Sequence, residues 1–177
     1  MPTFIALLRG INVGRAKRVA MAELRDLASG LGFAEARTVL NSGNLLFEHH
    51  ETTPEALAAG LREAIEKRFG ISVHVVVLRG DALEEIIQSN PLGEAIPDPG
   101  KYLVAFPSGM AALKAIEALL QRTWGPDHLV VGERAAYLWC ASGILESDLF
   151  KAFAKATGET VTTRNWSTVL KLQAALR

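Results

Sequence analysis

The chain has a single cysteine, Cys140, among its 177 residues. One thiol cannot close an intrachain disulfide or supply a cysteine-based zinc site. Its surroundings, Tyr137-Leu138-Trp139-Cys140-Ala141, are apolar, so a buried and inert thiol is expected. Long hydrophobic runs are missing too: none approaches the roughly 20 residues of a membrane span. The chain enters the apolar run Phe4-Ile5-Ala6-Leu7-Leu8 without the basic region and cleavage site of a secretory leader. A cytoplasmic location and no membrane partner are therefore expected. Net charge is absent as well, with 19 Lys and Arg against 19 Asp and Glu. No overall field steers the chain toward nucleic acid or an acidic surface, so any anion binding must be local. Apolar residues are plentiful: 49% of the chain is hydrophobic and 21% charged. That composition is globular and can fill the core of one domain or two small ones.

The apolar pattern divides the chain in two. Residues 3–8 read as a buried strand. A helix follows near 20–31, with Met21, Leu24, Leu27, Ala28 and Leu31 on one face and Gly32 at its end. Arg37–Leu40 and Leu45–Phe47 flank Asn41-Ser42-Gly43-Asn44, a turn sequence between two short strands. Thr53 caps a second helix with Pro54 at its first position, Leu57, Leu61, Ile65 and Phe69 facing the core, and Gly70 beyond it. Val73–Leu78 reads as the next strand. The order β-α-β-β-α-β is the ferredoxin-like pattern. A short helix from Asp81, with Glu84 completing a capping box, leads to Pro91, Gly93, Pro97, Pro99 and Gly100, a density that marks a linker over 91–100.

The pattern then repeats, in kind rather than in letters. Tyr102–Phe106 reads as a strand. Ser108 caps a predicted helix bearing Leu113, Ile116, Leu119 and Leu120. Leu129–Val131 and Ala136–Trp139 form a hairpin around Gly132-Glu133-Arg134. A helix near 147–156 buries Leu149, Phe150 and Phe153, and Thr160–Thr162 forms a short strand. A last helix starts near Trp166 and carries Val169, Leu172 and Leu176. The fold class is α/β (α+β): a tandem pair of ferredoxin-like βαββαβ halves, residues 1–90 and 101–177, with an extra C-terminal helix. Several strands are apolar on both faces, so both faces of the sheets are expected to be covered, by the other half or by a second subunit in a homodimer. This weighs against an open-sheet RNA binder, whose aromatic signature is also lacking.

Chemistry concentrates at element ends. Arg9-Gly10-Ile11-Asn12-Val13-Gly14-Arg15-Ala16-Lys17-Arg18 follows the first strand with four cations, two glycines and no acid. It has three residues between its glycines and then Arg, so it is not a P-loop, and it is not the dinucleotide fingerprint either. A solvated basic turn accounts for it. So does an anion site, with Arg9 as a bidentate fork, Asn12 as a directional donor, Lys17 or Arg18 as a point charge, and Gly10 and Gly14 letting backbone N–H groups approach. Near the C-terminus, Asn165 in Thr163-Arg164-Asn165-Trp166 can cap the last helix. A helix start beside Arg164 suits an anion, although an ordinary salt bridge explains Arg164 equally well. Ser42 and Asn44 could present polar groups, and a hairpin turn explains them fully. No nucleophile elbow surrounds Ser42, Ser108 or Ser142. Glu48-His49-His50-Glu51 looks metal-like, but neighbours on a strand point to opposite faces. No metal and no cofactor are expected.

These residues resemble a known family. Leu8-Arg9-Gly10-Ile11-Asn12-Val13-Gly14 is similar to the opening motif of the bacterial family catalogued as domain of unknown function 1697. Met21, Leu24, Leu27 and Leu31-Gly32-Phe33 resemble its first-helix pattern, Ser42-Gly43-Asn44 its hairpin motif, and Thr163-Arg164-Asn165-Trp166 with Thr168 its C-terminal signature. The family usually shows a second glycine where this chain has Arg15, and often Tyr and Gln where it has Leu40 and Asn41. The resemblance implies tandem ferredoxin-like halves and implies no activity. The expected function is binding of an anionic ligand, a nucleotide or a nucleic-acid phosphate, by Arg9, Gly10, Asn12, Gly14, Lys17, Ser42, Asn44, Arg164 and Asn165. The rival readings are an enzyme acting on a small phosphorylated or carboxylated molecule, with arginines stabilising developing charge, and a scaffold or oligomerisation protein.

Overall fold

A computed structural model describes residues 1–50 and 52–177. Two compact units are present: Met1–Leu83 with Leu172–Arg177, and Glu84–Lys171.

The first unit contains β1 (Thr3–Leu8), α1 (Met21–Gly30), β2 (Ala34–Val39), β3 (Asn44–Glu48), α2 (Pro54–Phe69) and β4 (Val75–Arg79). Its antiparallel sheet has the strand order β2-β3-β1-β4, the ferredoxin-like arrangement. β1 is central. Phe4 lies opposite Phe47, and Ala6 lies between Leu45 and Val77. These side chains share one face with Leu8 and Val75 and pack against Leu24 and Ala28 of α1 and Leu57, Leu61 and Ile65 of α2. Phe33 stacks on Phe47 with ring centroids 4.1 Å apart. The other face, with Ile5, Leu7, Leu46 and Val76, is also buried, which is why β1 reads as a continuous apolar run. α2 begins and ends as its sequence dictates: Thr53 Oγ1 accepts from Ala56 N at 3.2 Å, and Gly70 closes it at φ 66°.

α3 (Gly80–Gln88) follows β4 directly. The helix begins at Gly80, one residue before the Asp81 expected to cap it. Asp81 Oδ1 accepts from the adjacent Ala82 N at 2.8 Å, and its carboxylate pairs with Arg79 at 3.0 Å. The guanidinium two residues upstream is the stronger partner for that carboxylate.

The second unit repeats the plan with β5 (Tyr102–Pro107), α4 (Met110–Lys114), β6 (His128–Val131), β7 (Ala136–Trp139), α5 (Asp148–Thr157) and β8 (Val161–Asn165), in the strand order β6-β7-β5-β8. α6 (Trp166–Ala175) is the additional helix. One sheet face buries Leu103, Ala105, Ala136, Leu138 and Val161 against Leu113, Leu149 and Phe153. Ser147 caps α5, its hydroxyl accepting from Phe150 N at 3.0 Å.

The helix expected after Ser108 is shorter than its apolar pattern suggested. α4 ends at Lys114, its N-cap is Gly109 without a side-chain bond, and Glu117–Gln121 continues as a 3-10 turn. The core residues Leu113, Ile116 and Leu119 recur every third position, which suits three residues per turn. The amides of Ile116 and Leu119 accordingly donate three residues back, at 3.3 and 3.0 Å. Leu120 is left exposed.

The opposite face of this sheet carries the chain's two tyrosines. Tyr102 and Tyr137 stack 6.4 Å apart. Tyr102 Oη donates to Asn90 Oδ1 at 2.6 Å, and Tyr137 Oη donates to the Ile86 carbonyl at 2.6 Å. Burial pushes the Tyr137 phenol up to about 12. Burial and the neighbouring Tyr137 push Tyr102 far above the usual tyrosine range. A phenol whose folded pKa lies above its unfolded value of about 10 stabilises the fold below pH 10 and loses that contribution as pH rises through the folded value. In an alkaline titration, tyrosinate absorbance is therefore expected to stay flat near pH 10 and to rise only with loss of near-UV circular dichroism. Reversible ionisation near pH 10 in the folded protein would overturn the pairing of both phenols.

Candidate functional site

The basic segment is a structured loop between β1 and α1. Gly10 (φ 72°), Asn12 (φ 55°), Gly14 (φ 63°) and Lys17 (φ 50°) all adopt left-handed backbone. Glycine does so freely and asparagine fairly readily, whereas a lysine is strained there. Hydrogen bonds hold the shape. Asn12 N donates to the Lys17 carbonyl at 3.0 Å, closing the loop on itself. Asn12 Oδ1 accepts from Val19 N at 2.9 Å, while Asn12 Nδ2 donates to the carbonyls of Val19 at 2.9 Å and Asn41 at 2.8 Å. Lys17 Nζ donates to the Ser72 carbonyl at 2.9 Å. Ile11 and Val19 anchor the loop in the core.

The Ser-Gly-Asn turn meets this loop. Leu8 N donates to the Gly43 carbonyl at 2.8 Å. Gly43 is at φ 91°, and a Cβ there would lie 2.8 Å from Leu8 Cβ and 2.9 Å from Ile11 Cδ1. Only glycine allows so close an approach. Asn44 is fully buried, and its Nδ2 donates to the Val39 carbonyl at 2.8 Å and Ser42 Oγ at 3.1 Å. Six of the nine residues expected at a site, Gly10, Asn12, Gly14, Lys17, Ser42 and Asn44, thus belong to one loop-and-turn cluster. Arg9 joins it from the end of β1, its N–H bonded to the His74 carbonyl at 2.9 Å. The amide groups of Asn12 and Asn44 face the protein and build the cluster. Sequence reasoning did not anticipate this inward role, although an asparagine between two glycines is the residue expected where a left-handed backbone needs a side-chain clamp.

The cations of the loop face outward. Val13, Gly14, Arg15, Ala16, Lys17 and Arg18 are consecutively exposed. Among the described residues, Arg15 and Arg18 have no hydrogen-bond or ion-pair partner, and the first acid of the sequence is Glu23. The segment is also long for its place: residues 9–20 join β1 to α1, whereas residues 108–109 make the equivalent connection between β5 and α4.

Arg164 and Asn165 lie in the second unit, at the end of β8. Asn165 Oδ1 accepts from Thr168 N at 2.9 Å and so caps α6. Arg164 sits opposite Val104, on the sheet face of the tyrosines, and its Nη1 donates to Thr162 Oγ1 at 3.1 Å and the Thr163 carbonyl at 2.9 Å. Burial lowers its pKa to about 10, which leaves it charged at neutral pH. Trp166 is buried and packs 5.6 Å from Tyr102.

Two surface clefts of the second unit involve other residues. One, of about 320 Å³, contains Glu85, Ser89, Arg134 and Tyr137, with Arg134 Nε 2.6 Å from Glu85 Oε2. The other, of about 260 Å³, contains Trp124, Asp127 and His128, with the Arg122 guanidinium 4.2 Å above the indole ring of Trp124. His49 packs edge-on to Phe33 at 5.5 Å. Glu51, the last member of the Glu-His-His-Glu run, lies outside the described residues.

Residues 1–137, which contain the loop, the turn, the whole first half and the start of the second, match the family described as "Protein of unknown function (DUF1697)". The chain belongs to this family. The solved structure of the conserved bacterial protein SP0830 from Streptococcus pneumoniae is similar over 99% of each chain, with a TM-score of 0.73 and 22% identity. That likeness extends to the fold. No curated protein matches the chain. Among the described residues of this DUF1697 protein, no helix is long and apolar enough to cross a membrane.

The cluster makes a quantitative demand on Asn12. Asn12→Ala takes the partner from the Val19 N–H and from the Val19 and Asn41 carbonyls; these bonds are part-buried or exposed, so water replaces part of them and the total loss is about 1–3 kcal/mol. Urea unfolding is expected to show a destabilisation in that range, together with faster proteolysis between residues 10 and 18. Gly43→Ala, strained in backbone and crowded against Leu8, is expected to cost at least as much. An Asn12→Ala protein with wild-type stability and protease resistance would show that the loop holds its shape without the clamp.

Proposed function

We propose that this DUF1697 protein is a binding module for an anionic ligand, a nucleotide or the phosphate of a nucleic acid, held at the loop of residues 9–18. The observation that carries the reading is the exposed pair Arg15 and Arg18, without protein partners on an acid-free loop. An arginine fork matches phosphate geometry. Arg9 before the pair and Lys17 between its two members add positive charge. The left-handed Gly10 and Gly14 supply the kind of backbone that turns N–H groups toward an anion. In this reading Asn12, Ser42 and Asn44 act from behind, keeping the loop in shape, and Arg164 with Asn165 at the start of α6 forms a second anion contact in the second unit.

A thermal-shift series with inorganic phosphate, sulfate and nucleotides tests the reading. An anion at about 100 times its Kd adds about 2.7 kcal/mol to the native state, a shift of several degrees for a chain of this size. The shift is expected to shrink in Arg15→Ala/Arg18→Ala and in Arg9→Ala/Arg164→Ala. A wild-type protein that no anion stabilises would move the assignment to a scaffold role.

A further inference from the structure

We infer that the anion is a nucleic-acid backbone gripped at several phosphates at once, without reading of bases. The inference rests on the anion-binding reading above and deepens it. Sites for small molecules are concave and bury most of their ligand. Here the charged groups are instead spread along six consecutive exposed residues, 13–18, with Arg9 preceding them. Such a consecutive exposed row can meet successive phosphates of a polymer, each contact releasing counterions.

The groups that could read a base edge are engaged elsewhere. An asparagine amide recognises adenine by a bidentate bond, but both ends of the Asn12 amide are tied to Val19, and its nitrogen also to Asn41. The loop contains no aromatic residue on which a base could stack. What remains at its surface is guanidinium and ammonium, the groups of sequence-independent backbone contact. An anionic bilayer would also attract these cations. A loop that inserts at a membrane surface, however, carries large apolar residues such as Trp, Phe or Leu, and the exposed apolar tip of this one is Val13, 71% accessible.

Fluorescence anisotropy with a short labelled duplex, in two unrelated sequences and over a range of salt, tests this. Both sequences are expected to bind alike, with log Kobs falling against log salt at a slope of about −2 to −3, as for three neutralised phosphates. Arg15→Ala/Arg18→Ala is expected to lower the slope magnitude by about 2, and Arg15→Lys/Arg18→Lys to restore most of it. Unchanged melting temperatures check that the variants fold. If phosphate or a nucleotide stabilises the protein but no duplex binds, the backbone inference fails and the anion reading stands. If no anion of any kind binds, both fail. Binding to anionic vesicles without binding to the duplex replaces the inference with a lipid surface, and strong discrimination between the two sequences overturns the claim that no base is read.

Discussion

The amide of Asn12 is the constraint on which the N-terminal loop depends. Four left-handed residues within eight positions cannot hold one conformation through local preference alone, and two of the four, Asn12 and Lys17, carry side chains. The amide offers two donors and an acceptor, and it satisfies Val19 on both backbone groups and Asn41 on its carbonyl. Two pieces of chain far apart in sequence, the loop after β1 and the turn between β2 and β3, thereby become one rigid corner. The glycine of the turn completes it by letting Leu8 and Ile11 close in. Motifs that look like chemistry when read as letters are here partly the construction of that corner.

The corner exists because the central strands are what they are. β1 and β5 each pair on both edges and bury both faces, so any polar group in them would need a partner inside the sheet. Polar residues are accordingly displaced to strand ends, where Arg9 follows β1 and Arg164-Asn165 closes β8. The two halves use the same strand order but treat the first connection differently. Two residues suffice between β5 and α4, whereas twelve stand between β1 and α1. The fold does not require the longer loop. Binding residues concentrate on loops carried by a rigid scaffold, which is why the proposed site is placed on this segment.

Most of the element order was legible because its signals are local. Thr53-Pro54 opens a helix, Gly70 ends it, and the alternation of apolar runs with turn residues delimits the hairpins. The failures have physical causes. At α4 a three-residue apolar spacing passes for a helical one, yet in the structure it drives a 3-10 turn. At Asp81 the helix starts one residue earlier than its expected cap, at Gly80, and the carboxylate bonds both Arg79 and the Ala82 amide. At β8 the segment read as a short strand continues to Asn165, because cross-strand pairing with β5 outweighs weak local propensity. The site was legible as a set of residue types but not as a set of directions. Nothing in the letters shows that Asn12 and Asn44 point inward while Arg15 and Arg18 point outward, since that depends on contacts across the sheet.

The uncompensated arginines are a matter of field rather than stability. Elsewhere on this surface cations sit beside acids, as in Arg79 with Asp81, Lys101 with Asp98 and Lys151 with Asp148. Such exposed pairs contribute at most about 1 kcal/mol, so omitting them from one loop costs the fold almost nothing. The potential is affected much more. A chain with no net charge presents no long-range field, and at physiological salt charges are screened beyond about 8 Å. Four cations within ten residues and no acid among them therefore act as a local positive patch whatever the rest of the molecule carries. Pairing would have erased that patch at little structural benefit. On a loop whose backbone is clamped from behind, that charge is presented with the backbone reorganisation already done, which favours the anion binding proposed for it.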